Sequence, residues 1–177
     1  MANENEKKAI IVEWYILYGD SIFKFIAMML KDHHKAEDLT HETFLKAFKY
    51  FDDFKNNSSA KTWLFTIARN VSIDYMRKRK PWDILSNIIP DVKNQQPLTD
   101  EILVIKEEKT NLYRALANLK DTYRQVIILR KIKEFSISET SIILGWSEGK
   151  VKSTLSRALR TLEQELVKEG FTDEKLS

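Results

Sequence analysis

The sequence predicts an all-α protein built from two small helical domains joined by a flexible linker. Three observations lead there. Across 177 residues there are only 4 glycines and 3 prolines, while Leu, Ile, Lys and Glu abound. Apolar residues recur at three- and four-residue steps, the period of a helix with one buried face. Residues that start and stop helices stand at the ends of several of these stripes.

The first helix is read from about Ile10 to Leu30, with Trp14, Leu17, Tyr18, Ile22, Phe25, Ile26 and Met29 as its core stripe. A polar break, Lys31 to Lys35, leads into a second amphipathic helix from Ala36 to Phe51. Leu39, Phe44, Ala47, Phe48 and Phe51 make its apolar side, and Asp38, His41, Glu42 and Lys46 lie on another. Leu45 stands beside the charged face, where an exposed apolar side chain suits the anchor of a protein contact. The run DDFKNNSSA, from Asp52 to Ala60, breaks the period and reads as a loop.

From Ala60 to Lys80 a third helix sets Leu64, Ile67, Ala68, Val71 and Tyr75 on one stripe, against Thr62, Thr66, Arg69, Asn70, Ser72 and Arg77. Pro81 stops it. Residues 1–80 form the first domain, 81–100 the linker and 101–177 the second domain. In the latter, helices are read over Glu101 to Leu119 and Tyr123 to Ile132. Ser136 and Glu139 then form an S-x-x-E capping box, Gly145 suits a left-handed turn, and Ser147 caps the following helix, Glu148 to about Val167. A short capped helix, a glycine turn and a longer basic helix make a helix-turn-helix, whose second helix enters the DNA major groove.

The net charge of +3 conceals a segregation. Lys61, Arg69, Arg77, Lys78, Arg79 and Lys80 face a single acid, Asp74, in one basic patch, and Lys150, Lys152, Arg157 and Arg160 make another; residues 82–111 between them are net acidic. Two separated cationic patches fit two contacts with one long polyanion. The absence of cysteine excludes disulfides and thiolate metal sites. His34, Glu37, His41 and Glu42 follow no metal-ligand motif, so no metal and no cofactor is expected, and neither a nucleophile elbow nor a phosphate-binding glycine loop points to an enzyme. No signal peptide or membrane span is read, which fits a cytoplasmic location.

Three segments carry a family resemblance: AEDLTHETF from Ala36 to Phe44, WLFTIARN from Trp63 to Asn70 continuing into DYMRK from Asp74 to Lys78, and LGWSEGKVKSTLSRA from Leu144 to Ala158. In this order, over about residues 10–167, the chain resembles the extracytoplasmic-function (ECF) sigma factors of bacterial RNA polymerase. The resemblance implies that Asp38, His41, Glu42 and Leu45 dock on the clamp coiled coil of core RNA polymerase. It implies that Lys55, Asn56, Asn57, Ser58, Lys61, Trp63, Arg69, Asn70, Arg77 and Lys78 open promoter DNA and hold it, partly single-stranded, at the minus-ten element. Glu148, Lys150, Lys152, Ser153, Thr154 and Arg157 would read duplex DNA at minus thirty-five, and an anti-sigma factor would hold the protein inactive. The chain departs from the family pattern at His41 (usually Gln), at Thr140 and Ser141 (usually Ile-Ala) and at Lys150 (usually Thr). The competing reading from the residues alone is a free-standing helix-turn-helix regulator.

Overall fold

A computed structural model describes residues 2–30, 32–79 and 100–170, with the backbone alone for His33 and residues 100–108. Among the described residues every regular element is helical. The expected linker, 81–100, lies outside them except for Asp100, which opens a helix.

The first half consists of α1 (Glu4–Leu30), α2 (His33–Lys49), a short 3-10 turn (Phe51–Asp53) and α3 (Ala60–Lys78). α1 begins six residues before the expected start because Asn3 and Glu6 form a reciprocal box. The Glu6 amide donates to Asn3 Oδ1, and the Asn3 amide donates to Glu6 Oε2, both at 2.9 Å. Asp32 caps α2 by accepting from the Lys35 amide, and Ser59 caps α3 by accepting from the Thr62 amide. The three helices close over Ile22, Phe25, Ile26, Met29, Leu39, Phe44, Leu64, Phe65 and Ala68. At one end Trp14, Phe54 and Trp63 stack with ring centroids 5.0–6.1 Å apart, which fixes the loop ahead of α3.

The second half consists of α4 (Asp100–Asn118), α5 (Asp121–Ile127) continued by a π-helical turn (Ile128–Ile132), α6 (Ile137–Leu144) and α7 (Glu148–Lys168). α7 packs along α4, α5 and α6 through Val151, Ala158, Leu162 and Leu166. Both halves contribute to one continuous buried cluster, and α3 lies directly against α6.

Arg124 joins them. It is 4% exposed. Its guanidinium donates to the carbonyls of Leu116 (3.1 Å), Leu119 (2.7 Å) and Ala117 (3.4 Å) at the end of α4, to Asp121 Oδ1 (3.1 Å), and across the seam to the Met29 carbonyl (3.0 Å) at the end of α1. Helix C-termini carry unsatisfied carbonyls and partial negative charge, so one planar cation serves two of them. Burial lowers the Arg124 pKa from its usual value, and Asp121 opposes that shift.

Several expected positions are corrected. Leu17 is 60% exposed instead of core, being one step outside the stripe that runs through Tyr18 and Ile22. Thr62 and Ser72, assigned to the polar face of α3, are buried. Ser72 Oγ donates to the Ala68 carbonyl at 2.8 Å, so its hydroxyl is satisfied within its own helix and needs no water. Thr140 is fully buried, and its Oγ1 has no protein partner.

Two stability predictions follow from these environments. Arg124→Ala should cost about 3 kcal/mol or more, read as a lower urea midpoint, because carbonyls at two helix ends lose a charged donor; Arg124→Lys should recover only part of it. An unchanged midpoint for the alanine variant would show that the guanidinium network carries no net weight. Thr140→Val should raise stability by about 1 kcal/mol, since it removes a buried hydroxyl at constant shape.

Candidate nucleic-acid interface

The edge of α2 is built by helical spacing. Asp38, His41 and Leu45 occur at i, i+3 and i+7, all exposed, with Leu45 at 70%. Glu42 is half-buried and pairs with Lys46 at 3.3 Å, while Asp38 and Lys35 approach to 4.0 Å. His41 lies 6.3 Å from the Tyr15 ring of α1, and Tyr15 in turn meets Phe44 edge-on at 5.0 Å. Between the two helices is a groove of about 370 Å³, lined by Tyr15, Gly19, Asp20, Glu37, Thr40 and His41. α1 adds exposed Val12 and Ile16, one turn apart, beside Tyr15. Reading the Ile10 to Leu30 stripe as core alone missed these; their offset from the Ile22–Phe25–Ile26–Met29 stripe was the available signal.

The loop before α3 exposes Lys55, Asn56 and Asn57, with Ser58 half-buried. Asn56 has φ 55°, a left-handed conformation that Asn tolerates better than most side chains. Trp63 belongs to the aromatic stack with Trp14 and Phe54 and is half-buried. Along α3, Asn70, Arg77 and Lys78 are exposed. Lys61 and Arg69 are not free in the same way. The Lys61 ammonium stands 4.9 Å over the Phe135 ring, and Arg69 Nε donates to Gln125 Oε1 at 3.1 Å. Arg69 also reaches Asn70 Oδ1 at 3.4 Å. Its pKa is lowered, first by burial and then by the charge of Arg77, with Asp74 opposing.

In the second half, local hydrogen bonds form the helix-turn-helix. The Ser136 amide donates to Glu139 Oε2 at 2.8 Å and the Glu139 amide to Ser136 Oγ at 3.0 Å, completing the capping box. Gly145 adopts φ 66° and ψ 33°, and the Trp146 amide closes the turn on the Ser141 carbonyl at 3.0 Å. Ser147 then accepts from the Lys150 amide at 3.2 Å and starts α7. Glu148, Lys150, Lys152, Ser153 and Arg157 are exposed on its first three turns. Thr154 is the exception. At 4% exposure it belongs with Val151 and Ala158 on the buried face, so its side chain is unavailable to a ligand on the outer face.

Lys150 lies over the Trp146 ring at 4.4 Å, and Arg157 Nε bonds back to the Ser153 carbonyl at 3.3 Å. Both contacts hold long cations close to the helix, a role for Trp146 that the sequence reading did not assign. A capped helix N-terminus lined by such cations can bind phosphates and reach base edges. Gly145→Ala should weaken this element by about 1 kcal/mol through backbone strain alone, since no neighbouring atom blocks a Cβ there; circular dichroism melting would measure it.

Comparison with known proteins places the same two units in the same order. The family model described as sigma-70 region 2 matches residues 14–81, and that described as sigma-70, region 4 matches residues 109–162. The chain is 37% identical over 174 residues to the ECF RNA polymerase sigma factor SigX of Bacillus subtilis (strain 168), spanning 92% of this chain and 87% of that protein. To SigM of the same organism it is 35% identical, spanning 93% and 99%. The sigma factor RpoE from Bartonella quintana, solved in complex with the anti-sigma factor NepR, aligns with a TM-score of 0.68 at 31% identity, covering 90% of this chain and 97% of that one. CnrH, solved with the cytosolic domain of CnrY, shares the fold at a TM-score of 0.67 and 21% identity, over 90% of this chain and 88% of that one. With both regions matched in order and relatives above 30% identity over almost the whole length, the protein belongs to the ECF family of RNA polymerase sigma factors.

Proposed function

We propose that this sigma factor divides its work among three surfaces. The α2 edge of Asp38, His41, Glu42 and Leu45 docks on core RNA polymerase, with Leu45 as the apolar anchor and the acids setting orientation. Lys55, Asn56, Asn57, Ser58, Lys61, Trp63, Arg69, Asn70, Arg77 and Lys78 engage the minus-ten element. There the amides and ammonium groups hold a strand drawn out of the duplex, and Trp63 works by fixing the loop. Capturing an unstacked base offsets part of the few kcal/mol that flipping costs. Glu148, Lys150, Lys152, Ser153 and Arg157 on α7 read duplex DNA at minus thirty-five, phosphates through the cations and base edges from the first turn.

The observation that carries this reading is the pairing of an exposed apolar residue, Leu45, on an acidic helix edge with a separate exposed basic helix start at α7. A DNA-only regulator has no use for the first. The protein makes no bond itself; the polymerase carries the chemistry. Among the described residues no helix is long and apolar enough to cross a membrane, and no three His, Asp or Glu side chains gather as a metal site. A cytoplasmic location fits a partner of RNA polymerase. By analogy with the NepR-bound relative, an anti-sigma protein is the proposed regulator.

Leu45→Asp should reduce core polymerase binding at least tenfold in a pull-down or fluorescence titration, with the fold unchanged. Normal binding by this variant would move the docking site elsewhere, and tight duplex binding by a protein that never binds polymerase would instead favour a free-standing regulator. Lys152→Ala and Arg157→Ala should each weaken duplex binding and flatten its log-log salt slope by about 0.9 per lost phosphate contact. Substituting Asn56, Asn57 or Asn70 by Ala should spare polymerase binding yet slow promoter opening, and a pre-melted bubble template should restore transcription. If the bubble gives no rescue, strand capture is not their role.

A further inference from the structure

We propose that Trp146 is a positioning residue for the duplex contact at minus thirty-five: its ring holds the Lys150 ammonium on one flank of α7, where Lys150 and Arg157 together grip the phosphates of one DNA strand. The proposal rests on the assignment of α7 to duplex DNA. It adds the residue that aims the first cation and the part of the duplex that this cation meets.

The helical period sorts the side chains of α7 by direction. Val151, Thr154 and Ala158 mark the buried side. Lys150 and Arg157, seven residues apart, lie along one flank, and Glu148 and Lys152, four apart, lie along the other. Ser153 and Ser156 are exposed between the flanks. A helix lying in the major groove has the bases before its outermost face and a sugar-phosphate strand along each flank. Lys150 therefore faces a strand and not a base edge.

Neutral groups hold both cations on that flank. The Lys150 ammonium stands 4.4 Å over the Trp146 ring, and Arg157 Nε donates to the Ser153 carbonyl at 3.3 Å. Among the described residues no carboxylate pairs with either cation. An aromatic face attracts a cation through its quadrupole without neutralising it, so the ammonium is oriented while its charge stays available to an anion. The partial positive charge at the start of α7 would otherwise push an ammonium outward into water. Trp146 can hold it back because it is itself fixed: its half-buried ring packs on the hydrophobic core, and its amide closes the turn on the Ser141 carbonyl. A flexible lysine that is already placed loses less freedom when a phosphate arrives.

Duplex affinity of the full chain bound to core polymerase of Bacillus subtilis tests this, on a promoter fragment that the unaltered protein recovers from a pool of genomic fragments. Lys150→Gln should flatten the log-log salt slope by about 0.9. Selection with this variant from a library randomised at minus thirty-five should return the same consensus as the unaltered protein. Trp146→Leu should weaken binding about threefold, and Trp146→Phe should restore most of the loss. In a Lys150→Gln background Trp146→Leu should have no further effect. An equal loss in both backgrounds would make Trp146 a packing residue and overturn its positioning role. A shifted consensus, or an unchanged slope in Lys150→Gln while Lys152→Ala and Arg157→Ala flatten it, overturns the phosphate contact and leaves α7 as the duplex reader. Unchanged affinity in every α7 variant overturns the assignment of α7 to duplex DNA, and the proposal with it.

Discussion

The guanidinium of Arg124 holds the two halves of the chain in one body, because a buried cation has to be surrounded by acceptors and here the acceptors belong to both halves. Three come from the closing turns of α4 and one from the closing turn of α1, with the exposed carboxylate of Asp121 completing the set. Each helix end would otherwise leave carbonyls facing an apolar core. The position of α5 is therefore tied to the ends of two other helices. With α5 come α7, which packs on it, and the π-helical turn that leads to Phe135.

The placement bears differently on the two basic patches. On α7 the cations stand clear of the body, steadied by Trp146 and by the helix backbone, so the surface proposed to read duplex DNA is exposed as folded. On α3 the two ends differ. Asn70, Arg77 and Lys78 are open to solvent, while Lys61 and Arg69 are occupied by Phe135 and Gln125. The α2 edge proposed for polymerase docking lies on neither surface, and its Leu45 is exposed.

Much of this was legible in the sequence wherever the determining contact is local. The Ser136–Glu139 box, the glycine turn at 145 and the Ser147 cap are read directly because each bond joins residues three or four apart. The box at Asn3 and Glu6 is equally local, and it starts α1 six residues ahead of the apolar stripe that begins near Ile10. Residue type misled where a hydroxyl satisfies itself within its helix: Ser72 reads as surface but sits in the core, bonded to Ala68. Thr154 reads as polar surface like its neighbours, yet the α7 repeat of Val151 and Ala158 places it inside. The seam could not be read at all. Arg124 and Gln125 find their cross-seam partners at Met29 and Arg69, separations of 95 and 56 residues. Nothing in the local pattern distinguishes them from surface residues at the start of an apolar run.

On the proposed reading the α2 edge docks on polymerase while α3 and the start of α7 hold promoter DNA. Amide hydrogen exchange on the chain, free and in complex with core polymerase and promoter DNA, tests both parts together. The expected result is that polymerase slows exchange around Asp38 to Leu45, and that promoter DNA adds protection on α3 and the first turns of α7. Unchanged exchange at α2, together with no DNA-dependent protection on α3 or α7, would contradict it.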